Sequence, residues 1–492
     1  MPERTTAAML ERGVSSGRIS RGTCEGPNEK ESRKVMTLGT TEHRKLGPSS
    51  RIMAGGGESS AGVERDEVGM ACRVQEGLGQ EGSLLVQALS RENLAAAWKR
   101  VKANGGSAGV DGLTVTETQE YLKTHWPCLK AEILDGTYQP QAVRRVEIPK
   151  PTGGKRELGI PTVTDRLIQQ ALLQVMQPLI DPTFSDSSHG FRPGRSAHDA
   201  VRKARDYVQE GYRVVVDVDL EKFFDRVNHD ILMHRLSKHI SDKSVLRLVR
   251  RFLQVGVAVD GVVLERTEGT PQGGPLSPIL ANVLLDEVDK ELEKRGHRFV
   301  RYADDCNIYV RSQKAGERVL RGLRRIYARL RLRVNEAKTA VSTAYHRKFL
   351  GYCLRPWSGK VKIAVHPKSL DTFRLRIRDI TGRSKGNSME QVAQKLRNYM
   401  PGWKNYFQLA ETPSTFGKLD SWVRHRLRAL QLAHWKRGPT IYSRLRALGA
   451  SHELAVMGAG AKQRWWRRSG TRAVHAVLSI AHFDKMGFPR LT

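Results

Sequence analysis

The feature that most constrains this chain is a pair of adjacent carboxylates, Asp304 and Asp305, between two apolar stretches in FVRYADDCNIYV. A second apolar stretch, VVVDVDL, carries Asp217 and Asp219 at alternate positions, so both side chains share one face of a strand. Burying several carboxylates together is costly unless a cation or hydrogen bonds compensate. The pattern predicts a hairpin and a neighbouring strand that bring acidic side chains together.

Three carboxylates on neighbouring strands can hold two divalent ions, which stabilise the attacking and leaving oxygens in phosphoryl transfer. Mg²⁺ suits oxygen ligands combined with substrate phosphates. We therefore predict that Asp219, Asp304 and Asp305 are catalytic metal ligands, with two Mg²⁺ ions as cofactor. The alternative is a surface hairpin with a solvated Asp-Asp turn.

The rest of the chain is strongly basic. Its 492 residues include 83 Lys and Arg against 51 Asp and Glu, a formal net charge of +32. Such an excess indicates a polyanionic partner, with nucleic acid favoured over an anionic membrane surface. The sequence has no apolar run of spanning length, no signal-peptide pattern and no paired-cysteine motif. A cytoplasmic protein without a membrane partner is expected.

Charge and composition divide the chain. Residues 1–85 have zero net charge and no aromatic residue, whereas residues 371–492 carry +16. We expect 1–85 to be a disordered leader, or a start codon assigned too early. Strands and helices then interleave without strict βαβ alternation, which predicts an α+β fold.

Periodicity predicts most of the elements. The expected helices lie at 94–104, 116–135, 164–180, 277–296, 314–332 and 418–436, with one at 388–410 broken at Pro401-Gly402, and 228–255 is largely helical. The expected strands lie at 143–148, 214–220 and 348–354, with hairpins at 257–265 and 299–310.

Two loops complete the candidate site. The glycine turn KPTGGKR carries Lys155 and Arg156, which can hold a triphosphate. The bend-rich loop GTPQGGPLSP places Gln272 on a constrained backbone, as a fixed hydrogen-bonding group requires. The alternatives are an ordinary basic hairpin and a plain loop before a helix.

Tyr302-Ala303-Asp304-Asp305 resembles the YxDD tetrad of reverse transcriptases, and the order of blocks resembles the group II intron-encoded reverse transcriptase/maturase family, bacterial type. The blocks that carry this resemblance are 144–172, 187–201, 214–230, 269–289, 298–310, 335–339, 348–352 and 401–411. The resemblance implies a right-hand polymerase followed by an α-helical domain. Its expected parts are fingers and palm at 86–354 (N-terminal extension 86–130), a thumb/maturase-specific domain at 370–449 and a basic DNA-binding-like tail at 450–492.

The resemblance also implies roles. Phe224 would exclude a 2′-hydroxyl, Lys155 and Arg156 would contact the triphosphate, and Gln272 would contact its sugar or base region. Lys338 would stabilise the pyrophosphate or donate a proton. The residues expected to grip primer or RNA are Phe349, Gly351, Tyr352, Trp403, Trp465 and Trp466, although Trp403 also suits a helix core.

The function implied is an RNA-directed DNA polymerase that binds its intron RNA to assist splicing and copies it at a DNA target during retromobility. The implied partners are group II intron RNA, an RNA template with a DNA primer or target, and dNTPs, for a monomer or homodimer. No cysteine follows Cys353, so we expect no HNH endonuclease. Alternatives are a defence-associated or diversity-generating reverse transcriptase, and a non-catalytic RNA-binding splicing factor.

Overall fold

The computed structural model describes residues 83–149, 155–259, 262–264, 268–271, 273–460 and 464–492. The leader predicted at 1–85 lies outside these residues up to position 82, as does the tip of the KPTGGKR turn. Among the described residues, no helix combines the length and the apolar character that crossing a membrane requires.

Helices and strands interleave through the described part of the chain. The helices are α1 (Leu84–Ala88), α2 (Arg91–Asn104), α3 (Val115–Asp135), α4 (Val163–Ile180), α5 (Ala197–Gln209), α6 (His229–Leu236), α7 (Lys243–Gln254), α8 (Ser277–Lys294), α9 (Gln313–Arg329), α10 (Pro367–Ile380), α11 (Met389–Tyr406), α12 (Pro413–Trp435), α13 (Gly438–Ala447), α14 (His452–Gly460), α15 (Trp465–Arg468), α16 (Arg472–Val477) and α17 (Ile480–Lys485). The strands are β1 (Val143–Pro149), β2 (Lys155–Ile160), β3 (Val214–Val218), β4 (Val257–Val259), β5 (Val262–Leu264), β6 (Arg298–Tyr302), β7 (Asp305–Val310), β8 (Ala340–Thr343), β9 (Tyr352–Trp357) and β10 (Lys360–Val365).

The central sheet has the strand order β6-β7-β3-β8, and every neighbouring pair is antiparallel. Its β-branched residues pack against the helices that cover it: Val216 and Val218 are buried in the same core as Leu323 and Ile326 of α9. A second sheet, β2-β1-β4-β5, takes two strands from before β3 and two from between β3 and β6, and it joins β1 to β4 in parallel. The expected α+β class is confirmed.

Helices α10 to α17 form one helical domain around a single core. The core includes Phe373 and Leu427, and it continues into the predicted tail through Val474, Phe483 and Phe488. Apolar side chains of the predicted tail therefore complete the core of the helices before it. Its DNA-binding-like character stays a prediction.

Two predicted element boundaries are wrong. Helix α11 runs through Pro401 without a break, because Leu396 and Met400 are buried on its core side while Pro401 and Gly402 face solvent. The strand predicted at 348–354 begins only at Tyr352, since Leu350 (φ 48°) and Gly351 (φ 81°) adopt left-handed backbone conformations. Tertiary packing and a tight turn override the local sequence pattern at these two places.

Phe483 tests whether the tail belongs to the helical core. This ring is fully buried, so Phe483→Ala should cost about 3–5 kcal/mol in free energy of unfolding. On the same helix, Ile480 is 49% exposed, and Ile480→Ala should change stability by less than about 0.5 kcal/mol. Urea denaturation followed by circular dichroism compares the two variants. Equal stability of both would show that the tail is not part of the core.

Candidate active site

The predicted carboxylates lie at one edge of the central sheet. Val218 of β3 pairs with Cys306 of β7 in an antiparallel register. Asp219 follows Val218 and Asp305 precedes Cys306, so continuing this register carries both aspartates to the same edge. Asp304 lies in the turn that leads into β7. The structure thus brings together the three residues that the sequence predicts.

The turn between β6 and β7 depends on a close backbone approach. Ala303 has a φ of 58°, which is unusual for a residue other than glycine. Gly190 packs against this turn, and a Cβ at Gly190 would lie 2.2 Å from the Ala303 nitrogen. The Asn282 side-chain amide donates to the Gly190 carbonyl at 2.9 Å and fixes the approaching loop. A side chain at position 190 would therefore displace the aspartate turn.

A fully buried ion pair supports the same turn. Arg301 and Asp289 have side-chain exposures of zero, and the Arg301 Nε donates to Asp289 at 2.8 Å. Arg301 Nη1 donates to the Ala303 carbonyl at 3.0 Å and to the Asn282 Oδ1 at 2.8 Å. Sequence reasoning missed this pair. The available signal was Arg301 within the apolar segment FVRY and Asp289 on a helix whose other residues, ILANVLL, are largely apolar.

Asp219 is positioned by the segment NEAKT. The Asn335 amide donates to the Asp219 carbonyl at 2.8 Å, and the Asp219 amide donates to the Thr339 hydroxyl at 3.2 Å. Lys338 Nζ lies 3.4 Å from an Asp219 carboxylate oxygen, and 66% of the Lys338 side chain is exposed. This ammonium group can therefore reach a ligand at the sheet edge.

The carboxylates at this edge of the sheet repel one another. Desolvation raises the pKa of Asp305 to about 6, and the negative charge of Asp304 contributes to the shift, although the side chain keeps contact with solvent. Burial likewise raises the pKa of Asp217, against the opposing effect of Arg347, which donates to Asp217 at 2.8 Å. Asp217 is thus paired with an internal cation, whereas Asp305 carries a charge that a metal ion would stabilise.

The donor set fits a divalent cation by its chemistry. Asp219, Asp304 and Asp305 offer carboxylate oxygens at one edge, and their mutual repulsion is what a hard cation would relieve. The described His, Cys, Asp and Glu side chains nevertheless include no group of three gathered closely enough to ligate an ion. These aspartates are the residues that would hold the metal once their side chains converge.

A cavity of about 710 Å³ adjoins the aspartates. Phe224, Tyr302, Asp304 and Asp305 all line it. Phe224 lies in a short 3₁₀ turn, Phe223–Asp225, and its ring packs edge-on against the buried Phe223, 5.0 Å between centroids. The Phe224 carbonyl accepts from the Thr270 amide at 2.6 Å. Phe224 is therefore a fixed aromatic wall beside the carboxylates.

The N-terminal extension reaches the same cavity. Asn104, Gly105 and Gly106 line it together with Arg166 of α4. Arg166 Nη2 donates to the Ser107 carbonyl at 2.7 Å and attaches the loop to α4. Arg166 is a second residue that sequence reasoning did not single out.

The predicted triphosphate contacts have different outcomes. Lys155 lies at the start of β2, with 70% of its side chain exposed, and forms an ion pair with Glu147 at 2.5 Å. The side chain of Arg156 and the whole of Gln272 lie outside the described residues. Their roles remain predictions.

Several residues predicted to grip primer or RNA lie in the protein interior. Phe349 and Tyr352 are buried in a core that also contains Phe407, and Trp403 packs between Phe373 and Phe407, with ring centroids 4.5 and 4.7 Å away. Burial leaves these aromatic rings little surface for a nucleic acid, so packing is the role that the structure gives them. Their predicted contacts with primer or RNA remain untested.

The remaining predicted grip residues are more accessible. Gly351 occupies the turn before β9. Trp466 is 38% exposed and stacks on His425, with ring centroids 3.8 Å apart. Trp465 is half-buried beside Arg468. Of these three, Trp466 presents the most suitable surface for stacking.

The sheet, the aspartate turn and the cavity define a polymerase of the reverse transcriptase class. The family model "Reverse transcriptase (RNA-dependent DNA polymerase)" matches residues 148–354. The model "Group II intron, maturase-specific domain" matches residues 370–449. The chain belongs to the group II intron-encoded reverse transcriptase and maturase family.

Curated relatives agree with this membership. The chain is 33% identical over 305 residues to protein YkfC of Escherichia coli (strain K12), covering 53% of this chain and 80% of that protein. It is 32% identical over 276 residues to the group II intron-encoded protein LtrA of Lactococcus lactis subsp. cremoris, covering 56% of this chain and 45% of LtrA. The match thus spans about half the length of LtrA.

Solved structures give weaker likenesses. A chain of the partial Cas6-RT-Cas1–Cas2 complex is 26% identical, with a TM-score of 0.34, over 50% of this chain and 42% of that chain. Telomerase from Candida albicans is 14% identical, with a TM-score of 0.39, over 70% of this chain and 67% of that chain. At these TM-scores the overlays add nothing to the family assignment.

The free energy of unfolding should depend on the Arg301–Asp289 ion pair. Arg301→Met leaves the Asp289 charge buried and unpaired, so the free energy of unfolding should fall by about 3–5 kcal/mol. The double variant Arg301→Met/Asp289→Leu removes both charges and should regain part of that loss. Urea denaturation of the three proteins decides the point. If the double variant were no more stable than the single one, the pair would not be the supporting interaction.

Proposed function

We propose that this chain is an RNA-directed DNA polymerase that also binds group II intron RNA and assists its splicing. The observation that carries the polymerase role is the position of Asp219, Asp304 and Asp305 at one sheet edge, where Asp304 and Asp305 line a cavity of about 710 Å³. The raised pKa of Asp305 beside Asp304 is consistent with a group whose charge a cation would stabilise. Two Mg²⁺ ions are the proposed cofactor.

In the proposed reaction the 3′-hydroxyl of a primer attacks the α-phosphate of a dNTP, and pyrophosphate leaves. When bound, the two divalent ions would offset the negative charge that develops on the attacking and leaving oxygens. Asp219, Asp304 and Asp305 would hold them. Lys338 would neutralise or protonate the leaving pyrophosphate, and its exposure and 3.4 Å distance from Asp219 support this role.

Phe224 is the proposed sugar gate. Its ring lines the cavity beside Asp304 and Asp305, and the packing of Phe223 limits its movement. A rigid ring there would exclude a 2′-hydroxyl by bulk. Selection of dNTPs over ribonucleotides would therefore rest on steric exclusion.

The splicing role rests on the maturase-specific match at 370–449 and on the +16 charge of residues 371–492. Arginine contacts phosphates, and A-form RNA is largely recognised through its backbone and shape. The proposed partners are the intron RNA, a DNA primer or target and dNTPs. Reverse transcription at a DNA target would complete the cycle of retromobility.

The alternatives differ in specific features. A non-catalytic splicing factor on a polymerase scaffold does not need the three aspartates, yet all three are present. A defence-associated or diversity-generating enzyme does not explain the maturase-specific match. The intron-encoded enzyme accounts for both.

A single substitution separates the two proposed activities. Asp304→Ala should lower primer extension on an RNA template with Mg²⁺ by roughly three orders of magnitude, because a lost ligand removes several kcal/mol of transition-state stabilisation. Splicing of the cognate intron at low Mg²⁺ should persist, since the substitution leaves the basic surface unchanged.

The matched control is Asp230→Asn, an exposed aspartate on α6 that pairs with Arg250 at 2.6 Å. This variant should retain both activities. Equal extension by wild type and Asp304→Ala, or none by either, would refute the polymerase proposal. Failure of the wild type to promote splicing would refute the maturase proposal alone.

Phe224→Ala tests the sugar gate. Removing the ring should reduce discrimination against ribonucleotides by about 10- to 100-fold, the range that steric exclusion of a small group provides. Phe191→Ala is the control, because Phe191 lines the same cavity but is 48% exposed. Single-nucleotide incorporation kinetics with dNTP and rNTP pairs measure both variants. An unchanged ratio in Phe224→Ala would remove Phe224 from the specificity mechanism.

A further inference from the structure

The helical domain contains a second polar cavity, remote in sequence from the aspartates. Its volume is about 430 Å³, and α12 and the segment after α17 supply most of its lining. The charged or polar residues that line it include Asp420, Ser421, Arg424, Arg428, His475 and Arg490. A cavity with three arginines in an otherwise apolar helical core needs an explanation.

Arg424 is the central residue of this cavity. Its side chain is 3% exposed, and Nη2 donates to Asp484 at 2.9 Å and to the Pro489 carbonyl at 3.2 Å. Nη1 is buried and has no hydrogen-bond partner among the described residues. An unsatisfied buried guanidinium nitrogen is costly, so an acceptor that reached Nη1 would stabilise this side chain.

Arg428 adds a second cation with no acidic partner in the described chain. Its Nε donates to the Leu478 carbonyl at 2.8 Å, and Nη1 lies 2.9 Å from His475 Nε2. Burial and the nearby charge of Arg424 lower the pKa of Arg428 to about 10. Arg428 therefore lines the cavity without a carboxylate partner among the described residues, beside Arg424, which is paired with Asp484.

The acids around the cavity are already engaged. Asp484 pairs with both Arg424 and Arg490. Asp420 accepts from the Leu491 amide at 2.9 Å and from the Thr492 amide at 2.9 Å. Arg428 is therefore left without a carboxylate, and Arg424 keeps one donor without an acceptor, among the described residues.

We propose that this cavity binds a phosphate group, held by Arg424 and Arg428. Phosphate supplies the several acceptor oxygens that planar guanidinium donors match, and its charge would pair with Arg428. The group could come from the terminal phosphate of an RNA or from free phosphate. The inference is independent of the polymerase site, because none of these residues lines the aspartate cavity.

Inorganic phosphate is the direct probe. Isothermal titration of the full-length protein, without metal, primer or template, should give saturable binding with one site. Phosphate should also raise the midpoint of thermal unfolding, since a ligand that binds only the folded state stabilises it. This wild-type measurement does not depend on any variant folding correctly.

Two substitutions assign the binding to the cavity. Arg424→Gln removes the unpaired donor and should weaken phosphate binding at least tenfold, but it also breaks the contact with Asp484. Ser421→Glu is the second variant, because Ser421 is an exposed residue of α12 at the cavity and a carboxylate there would repel the anion. Arg444→Met, an exposed arginine on α13, is the control and should bind phosphate as the wild type does.

A pair of RNA oligonucleotides, one with a 5′-phosphate and one with a 5′-hydroxyl, distinguishes the sources. Tighter binding of the phosphorylated RNA, abolished by Ser421→Glu, would identify an RNA terminus as the ligand. Phosphate binding without that preference would identify free phosphate. Absence of saturable phosphate binding, or equal binding by wild type and Ser421→Glu, would overturn the proposal. Primer extension, assayed separately, tests the polymerase proposal independently of phosphate binding.

Discussion

The Arg301–Asp289 ion pair is the interaction on which the acidic centre depends. Both side chains are completely buried, and the guanidinium also reaches the Ala303 carbonyl in the turn that carries Asp304. A buried pair of this kind contributes little net stability but is strongly destabilising when one partner is removed. The ion pair instead fixes the geometry of the turn, in which Ala303 has a left-handed backbone conformation that a residue other than glycine rarely adopts.

The overall charge of the chain is positive, whereas the candidate site is acidic. The chain has a formal charge of +32, yet three aspartates meet at the sheet edge. Of the charges near them, Arg347 is committed to Asp217, and Lys338 remains largely exposed at 3.4 Å from Asp219. A metal ion at this edge would add positive charge beside Asp305, whose pKa is raised by desolvation and by the neighbouring aspartates.

Sequence reasoning located the strands and the aspartates because both depend on local patterns. VVVDVDL is a β-branched run that predicts a strand, and FVRYADDCNIYV predicts a hairpin. The register then places Asp219 and Asp305 at the same edge. Arg301–Asp289 escaped prediction because the two residues are joined by tertiary packing of β6 against α8. The continuation of α11 through Pro401 has the same cause, since long-range burial outweighs the local preference to break.

The buried aromatic residues around Tyr352 connect the β9–β10 hairpin to helix α11. The Tyr352 hydroxyl and His198 Nε2 both donate to the Tyr406 carbonyl at the end of α11, and the Tyr406 hydroxyl donates to the Leu350 carbonyl at 2.9 Å. These bonds tie the turn before β9 to the last turn of a thumb helix. Residues that sequence similarity associates with the primer thus join palm to thumb. Any effect of Tyr352 on primer binding would then act through the relative placement of the two domains, because its ring is 1% exposed.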